Sequence, residues 1–108
     1  MLTSAITVLE RRNLFTGPCH TVPYEVGWAS EAIFFVQAAG SHPLLSCTPE
    51  ISPDGFAWLS CGPAVVLHPS EEIAAVAVSR FGTWLRLRVE GPTDDDPTTL
   101  LIHLALKG

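Results

Sequence analysis

Nowhere in these 108 residues do cysteines fall at Cys-x-x-Cys spacing, histidines cluster, or apolar residues run for the ~20 positions that a membrane span needs. The four histidines, His20, His42, His68 and His103, are widely separated, whereas a zinc site needs three or four convergent nitrogen or sulfur ligands. No Ser-His-Asp or Cys-His order is visible, and no paired polar residues recur on matching strands. Catalysis, metal binding and a bound cofactor are therefore not expected. Asp94-Asp95-Asp96 could offer oxygens to calcium, but its flanking Pro92 and Pro97 mark a solvated crossover loop. Basic residues are also scarce, six against eleven acidic ones for a net charge of -5, which disfavours a nucleic-acid partner. The opening stretch has no basic segment ahead of its short apolar run, so no export signal is read from it and a soluble domain is expected. Internal repeats, low-complexity tracts and helical periodicity are absent.

What is present is apolar. A hydrophobic fraction of 47% and a mean hydropathy of +0.31 exclude a disordered chain. They exceed what one small core can bury, so apolar surface is left for a partner, and the first expectation is a second copy of the chain. The densest part is Glu72 to Glu90, which reads as two strands joined by a tight turn at Arg80-Phe81-Gly82. In its second half Leu85, Leu87 and Val89 alternate with Trp84, Arg86 and Arg88, a period of two. In its first half both alternating sets are apolar or small, Ile73, Ala75 and Ala77 against Ala74, Val76 and Val78. That half is expected to be covered on both sides, by a second sheet or by a neighbouring subunit.

In chain order, residues 2–9 form a short strand with Ile6 and Val8 on one side and Ala5, Thr7 and Leu9 on the other. Leu14 to Gly27, with Gly17-Pro18, Pro23 and Gly27, is a connector. The β-branched and aromatic run Ile33-Phe34-Phe35-Val36 favours a strand, with Ala32, Phe34, Val36 and Ala38 sharing a face. A further strand spans Leu44 to Ile51, and Ser52-Pro53-Asp54-Gly55 is a strong turn signal before the returning Phe56 to Ser60. Ala64 to Leu67 is a short buried strand. Thr98 to Lys107 closes the chain with Leu100, Ile102, Leu104 and Leu106 inward. Roughly seven or eight short strands, with turn signals about every ten residues, predict an all-β chain. The predicted fold is a single antiparallel β-sandwich of jelly-roll type over residues 28–108, preceded by an N-terminal arm and connector over residues 1–27.

The candidate functional residues are of two kinds. An arm adding to the open sheet edge of a neighbour would place Ile6, Val8 and Leu9 at a subunit interface. Cys19 lies in the connector and, with three cysteines in all, is the thiol best placed for an inter-subunit disulfide; three idle thiols are the plainer reading. Among the three tryptophans, Trp84 shares an outward face with Arg86 and Arg88. That cluster could anchor the same interface, cover the rim of the core, or, with Trp58, form a platform on which a carbohydrate stacks.

Two family resemblances attach to these residues. Ser52-Pro53-Asp54-Gly55, Trp58 and the run Trp84-Leu85-Arg86-Leu87-Arg88-Val89 resemble the galactose-binding-like sandwiches of discoidin and carbohydrate-binding domains, which implies fold more than ligand. The layout of arm, connector and body, with Ile73-Ala74-Ala75-Val76-Ala77-Val78-Ser79-Arg80-Phe81-Gly82-Thr83-Trp84-Leu85 followed by Thr99-Leu100-Leu101-Ile102-His103-Leu104-Ala105-Leu106, resembles the jelly-roll subunits of bacterial endospore appendages. That resemblance implies a self-assembling structural protein outside the cell or on a cell or spore surface, built into a filament by strand exchange through the N-terminal arm. Those subunits carry several cysteines in the arm, whereas this chain has only Cys19 there and none after Cys61, so assembly would be noncovalent. The alternatives are a carbohydrate-binding module, expected to be monomeric, and a phage-derived structural protein with the same assembly logic.

Overall fold

The computed structural model describes residues 4–108, and among these the regular elements are all strands. They are β1 (Ser4–Phe15), β2 (Cys19–His20), β3 (Tyr24–Glu25), β4 (Glu31–Ala39), β5 (Leu45–Ser52), β6 (Leu59–Ser60), β7 (Val65–Leu67), β8 (Ile73–Ser79), β9 (Trp84–Glu90) and β10 (Thr98–Lys107). A front sheet has the order β1-β10-β4-β8. In the back sheet, β9 and β5 lie side by side, β2 and β3 pair with the free side of β9, and β6 and β7 pair with β5. Every pairing is antiparallel. With β2 and β3 counted as one broken strand and β6 and β7 as another, this is the strand order of a jelly roll.

Alternation explains which side of each strand is dry. Phe34 and Val36 on β4, Leu100, Ile102, Leu104 and Leu106 on β10, and Val76 and Val78 on β8 point inward from the front sheet and are buried. Leu45 and Cys47 on β5, Leu67 on β7, and Leu85, Leu87 and Val89 on β9 meet them from the back sheet. Each large side chain sealed in this way stabilises the sandwich by about 1.5–3 kcal/mol relative to exposure. The break between β2 and β3 is held by buried Thr21. Its N–H donates to the Leu87 carbonyl at 2.9 Å, and its Oγ1 accepts from the Leu87 N–H at 3.0 Å, so a hydroxyl replaces the main-chain acceptor where the chain kinks. Buried His42 ties two loops together, its ring nitrogens lying 2.7 and 2.6 Å from the carbonyl oxygens of Pro43 and Glu71. Gly91 has φ +134, a backbone only glycine adopts readily, and a Cβ there would collide with the Leu44 carbonyl.

The structure revises several sequence expectations. Glu72 to Glu90 is not a hairpin. β8 pairs with β4 and β9 with β5, so Arg80 (φ 58) and Gly82 carry the chain across from one sheet to the other. Within the single chain no second sheet covers the outer side of β8: it is an edge strand, and Ile73, Ala75 and Ala77 are exposed there. The strand expected over residues 2–9 continues to Phe15, and its described part pairs with β10 of its own chain along its whole length. Residues 2 and 3 of that expectation lie outside the described residues. The connector contains two short strands, β2 and β3, that complete the back sheet. Only Leu59 and Ser60 of the stretch after the Ser52–Gly55 turn pair back with β5.

Candidate functional site

The two sheets turn very different faces to solvent. On the back sheet, Arg86 of β9 donates from Nε to Glu50 Oε1 of β5 at 2.7 Å, and its guanidinium lies 4.2 Å from the centre of the Trp58 ring. With side chains 17% and 10% exposed, this pair is sheltered enough for its hydrogen bond to count. Trp84 sits under the turn that follows β5. That turn is built by Ser52, whose Oγ accepts from the Gly55 N–H at 2.8 Å, and by Asp54, whose Oδ1 accepts from the N–H groups of Phe56 (2.9 Å) and Ala57 (3.1 Å). Those bonds, the Phe56 N–H foremost, hold the Asp54 carboxyl below the usual carboxylate range. Gly55 turns with φ +83, and a Cβ there would touch the Trp84 ring at 3.7 Å. Arg88 and Glu90 form a half-exposed pair at 3.5 Å, which contributes little. Trp58, Trp84, Arg86 and Arg88, the residues considered for a carbohydrate platform, thus lie on the back face, where Arg86 covers one side of Trp58 and the turn roofs Trp84.

The front sheet is the reverse. Pairing places its outward side chains in rows across β1, β10, β4 and β8. One row runs Ser4, Lys107, Glu31, Ser79. Next come Ile6, Ala105, Ile33, Ala77, then Val8, His103, Phe35, Ala75, and then Arg11, Leu101, Gln37, Ile73. In the two central rows only His103 is polar. Ile6 is 68% exposed and Ile73 51%. Depressions of about 310 Å³ beside Ile33 and Ala77, and about 300 Å³ beside Ile6 and Ala105, lie on this face.

Along one margin of that face runs β1. It is long, yet none of its residues is fully buried; Leu9 and Phe15 only lean on the core. Bulges between Val8 and Glu10 and between Arg11 and Asn13, with Arg12 at φ 55, break its register with β10. The residues expected at a subunit interface are therefore dispersed. Ile6 and Val8 are on the front face, Leu9 against the core, and Trp84, Arg86 and Arg88 on the back face.

Cys19 pairs with Val89, which pairs in turn with Cys47, so the two thiols are two strands apart, about 10 Å. That exceeds the reach of a disulfide, and all three cysteines are free. Burial first, and Glu10 second, push the Cys19 thiol up to about 11. The thiolate that would start disulfide exchange is correspondingly scarce at neutral pH. Among the described residues no three His, Cys, Asp or Glu side chains converge, and no helix is long and apolar enough to cross a membrane.

Comparison with known proteins adds a family to this geometry. Residues 26–107 match the family described as a domain of unknown function, DUF6385. The chain belongs to the DUF6385 family. The match begins after β3, so β1, β2 and β3 all precede it. No curated protein matches this DUF6385 sequence significantly. Among solved structures, the SPBc2 prophage-derived protein YomS superposes with a TM-score of 0.59 at 8% identity, covering 100% of this chain and 96% of that one. The subunit of Bacillus endospore appendages, described as disulfide-linked pili, gives 0.55 at 11% identity, over 97% and 87% of the two chains. The infectious bursal disease virus VP2 subviral particle gives 0.60 at 13% identity, over 98% of this chain but 32% of the viral one. At these identities the likeness is one of fold.

Proposed function

We propose that this DUF6385 protein is a non-enzymatic structural subunit that self-associates into a fibre or surface layer outside the cell, through exchange of β1 between neighbouring copies. The observation that carries the reading is β1 itself. It is held to β10 along its length by main-chain pairing, yet contributes no fully buried side chain. Main-chain hydrogen bonds are the part of a contact that another copy's β1 reproduces without loss. Thr16, Gly17 and Pro18 between β1 and β2 form a short connector in which the exchange can hinge. An exchanged strand links each copy to the next head to tail, and such a contact propagates when it does not close into a ring. Three neighbours in fold, from a prophage, a viral particle and a pilus, are compatible with an assembling role, and the prophage protein keeps a phage-derived structural subunit in the same mechanical class. Unlike disulfide-linked pili, assembly here is noncovalent, in line with the protonated Cys19.

The test is a cysteine pair at register partners Leu14 of β1 and Thr99 of β10. Oxidised L14C/T99C should run as a ladder of covalent multimers on a non-reducing gel, and negative-stain images of the unmodified protein should show fibres or regular arrays. A single monomer band from the cross-linked variant means that β1 stays at home and strand exchange is wrong.

A further inference from the structure

We infer that the outer face of the front sheet packs face to face against the same face of a second copy, around a two-fold axis that runs along the strands between β10 and β4. The inference rests on the reading that the chain self-associates and names a surface for it; it does not depend on β1 exchange.

The register of the front sheet is self-complementary. A two-fold axis along the strands lays each row over the same row of the partner, read backwards, so that β1 faces β8 and β10 faces β4. In the row Ile6, Ala105, Ile33, Ala77, large and small side chains alternate. Reversed onto itself, that row puts each Ile6 over an Ala77 and each Ile33 over an Ala105, every knob facing a hole. Depressions of about 310 and 300 Å³ already mark the positions of Ala77 and Ala105. In the next row Val8 falls over Ala75, and the imidazole of His103 over the ring of Phe35. In one marginal row Lys107 falls over Glu31, so that pair of opposite charges is also matched with its own reverse; in the other marginal row Arg11 falls over Ile73 and Leu101 over Gln37, so the complementarity lies in the first three rows. A different kind of partner gives no reason for large to meet small and Lys to meet Glu under the same operation.

Size agrees with this occupant. Four strands about 4.8 Å apart and up to ten residues long make a face roughly 19 Å by 33 Å, near 600 Å² before side-chain relief is counted. A standard stable interface buries about 800 Å² per partner. Facing sheets cross at about 30°, so rows coincide best at the middle of the face, where the Ile and Ala row and the Phe35 row lie.

The experiment is a knob-and-hole swap followed by sedimentation equilibrium. Wild type is expected to be a dimer, or an assembly of dimers, at micromolar concentration. Ala105→Ile sets isoleucine against Ile33 twice across the axis and should weaken association roughly 100-fold. The double variant I33A/A105I moves the knob to the hole and should recover to within about tenfold of wild type. Circular dichroism melts of both variants show whether each chain is folded. A folded A105I that associates as tightly as wild type overturns the inference and leaves β1 exchange standing, and so does failure of the double variant to recover. An L14C/T99C protein that is locked within each chain yet still dimerises sinks exchange while supporting this face. A monomeric wild type that binds phosphatidylcholine vesicles would mean a lipid surface occupies the face instead, and overturns the inference.

Discussion

The front and back sheets bury equivalent inner faces, but their outer faces follow opposite rules. On the back, the Trp, Arg and Asp side chains around β5 and β9 find partners within the chain, Arg86 in Glu50 and Trp58, Trp84 in the Gly55 turn, and Asp54 in backbone N–H groups, while the exposed apolar side chains Phe56, Leu59 and Val66 lie apart on the turn, β6 and β7. On the front, Ile6, Ile33, Phe35, Leu101 and Ile73 have only one another and solvent. The lesson is that conspicuous residues are poor guides to an interaction surface. Tryptophan and arginine attract notice, yet here they lock down a wall, while alanine and isoleucine in register leave a surface incomplete.

The contrast can be broken by substitution. Glu50→Ala strips Arg86 of its partner in a sheltered site and should destabilise the fold by about 2 kcal/mol, read from urea unfolding, with association unchanged. Thr98→Val is expected to act in the opposite sense. The Thr98 hydroxyl is buried without a hydrogen-bond partner among the described residues, so its removal should stabilise by about 1 kcal/mol, read as a higher melting temperature. Ile73→Thr, on the front face, should leave the stability of the single chain within about 0.5 kcal/mol while lowering self-association. A large stability loss there would mean that the front face is part of the core.

Two titrations sharpen the same comparison. Cys19 and Cys47 are raised to about 11 by burial, so the folded chain holds these protons more tightly than the unfolded chain does. Their contribution is full below the ordinary thiol value near 9 and is lost as pH rises towards about 11. The unfolding midpoint should fall across that window, less steeply in C19A. Asp54 is depressed, so its contribution is present above the unfolded carboxyl value and is lost as pH falls through the lower folded one. As pH falls through that lower value, the protection of the Phe56 and Ala57 amides, corrected for intrinsic exchange, should weaken while the front face is unaffected.

Alternation made the inward sets of β4, β9 and β10 readable from the chain, and Ser52-Pro53-Asp54-Gly55 marked its turn. The Glu72–Glu90 stretch misled for a physical reason. β8 pairs with β4 and packs across the core over β7 and β5, not beside β9, and a strand stacked against another sheet shows the same period of two as a strand paired in a hairpin. Strands of two residues, such as β2 and β3, carry no period at all. The front face was half legible. The two apolar sets on β8 predict a strand covered on both sides, whereas in the single chain Ala75 and Ala77 are open. The rows that give those alanines meaning join strands distant in sequence, and only the register reveals them.

The asymmetry between the faces is tested most directly by methyl NMR with a soluble paramagnetic probe, from about 10 µM to 1 mM protein. The account predicts that methyls of Ile6, Ile33, Ala77 and Ala105 lose contact with the probe as concentration rises, while Thr48 and Val66 on the back sheet keep theirs. Protection that grows on the back sheet instead, or on neither face, would contradict it.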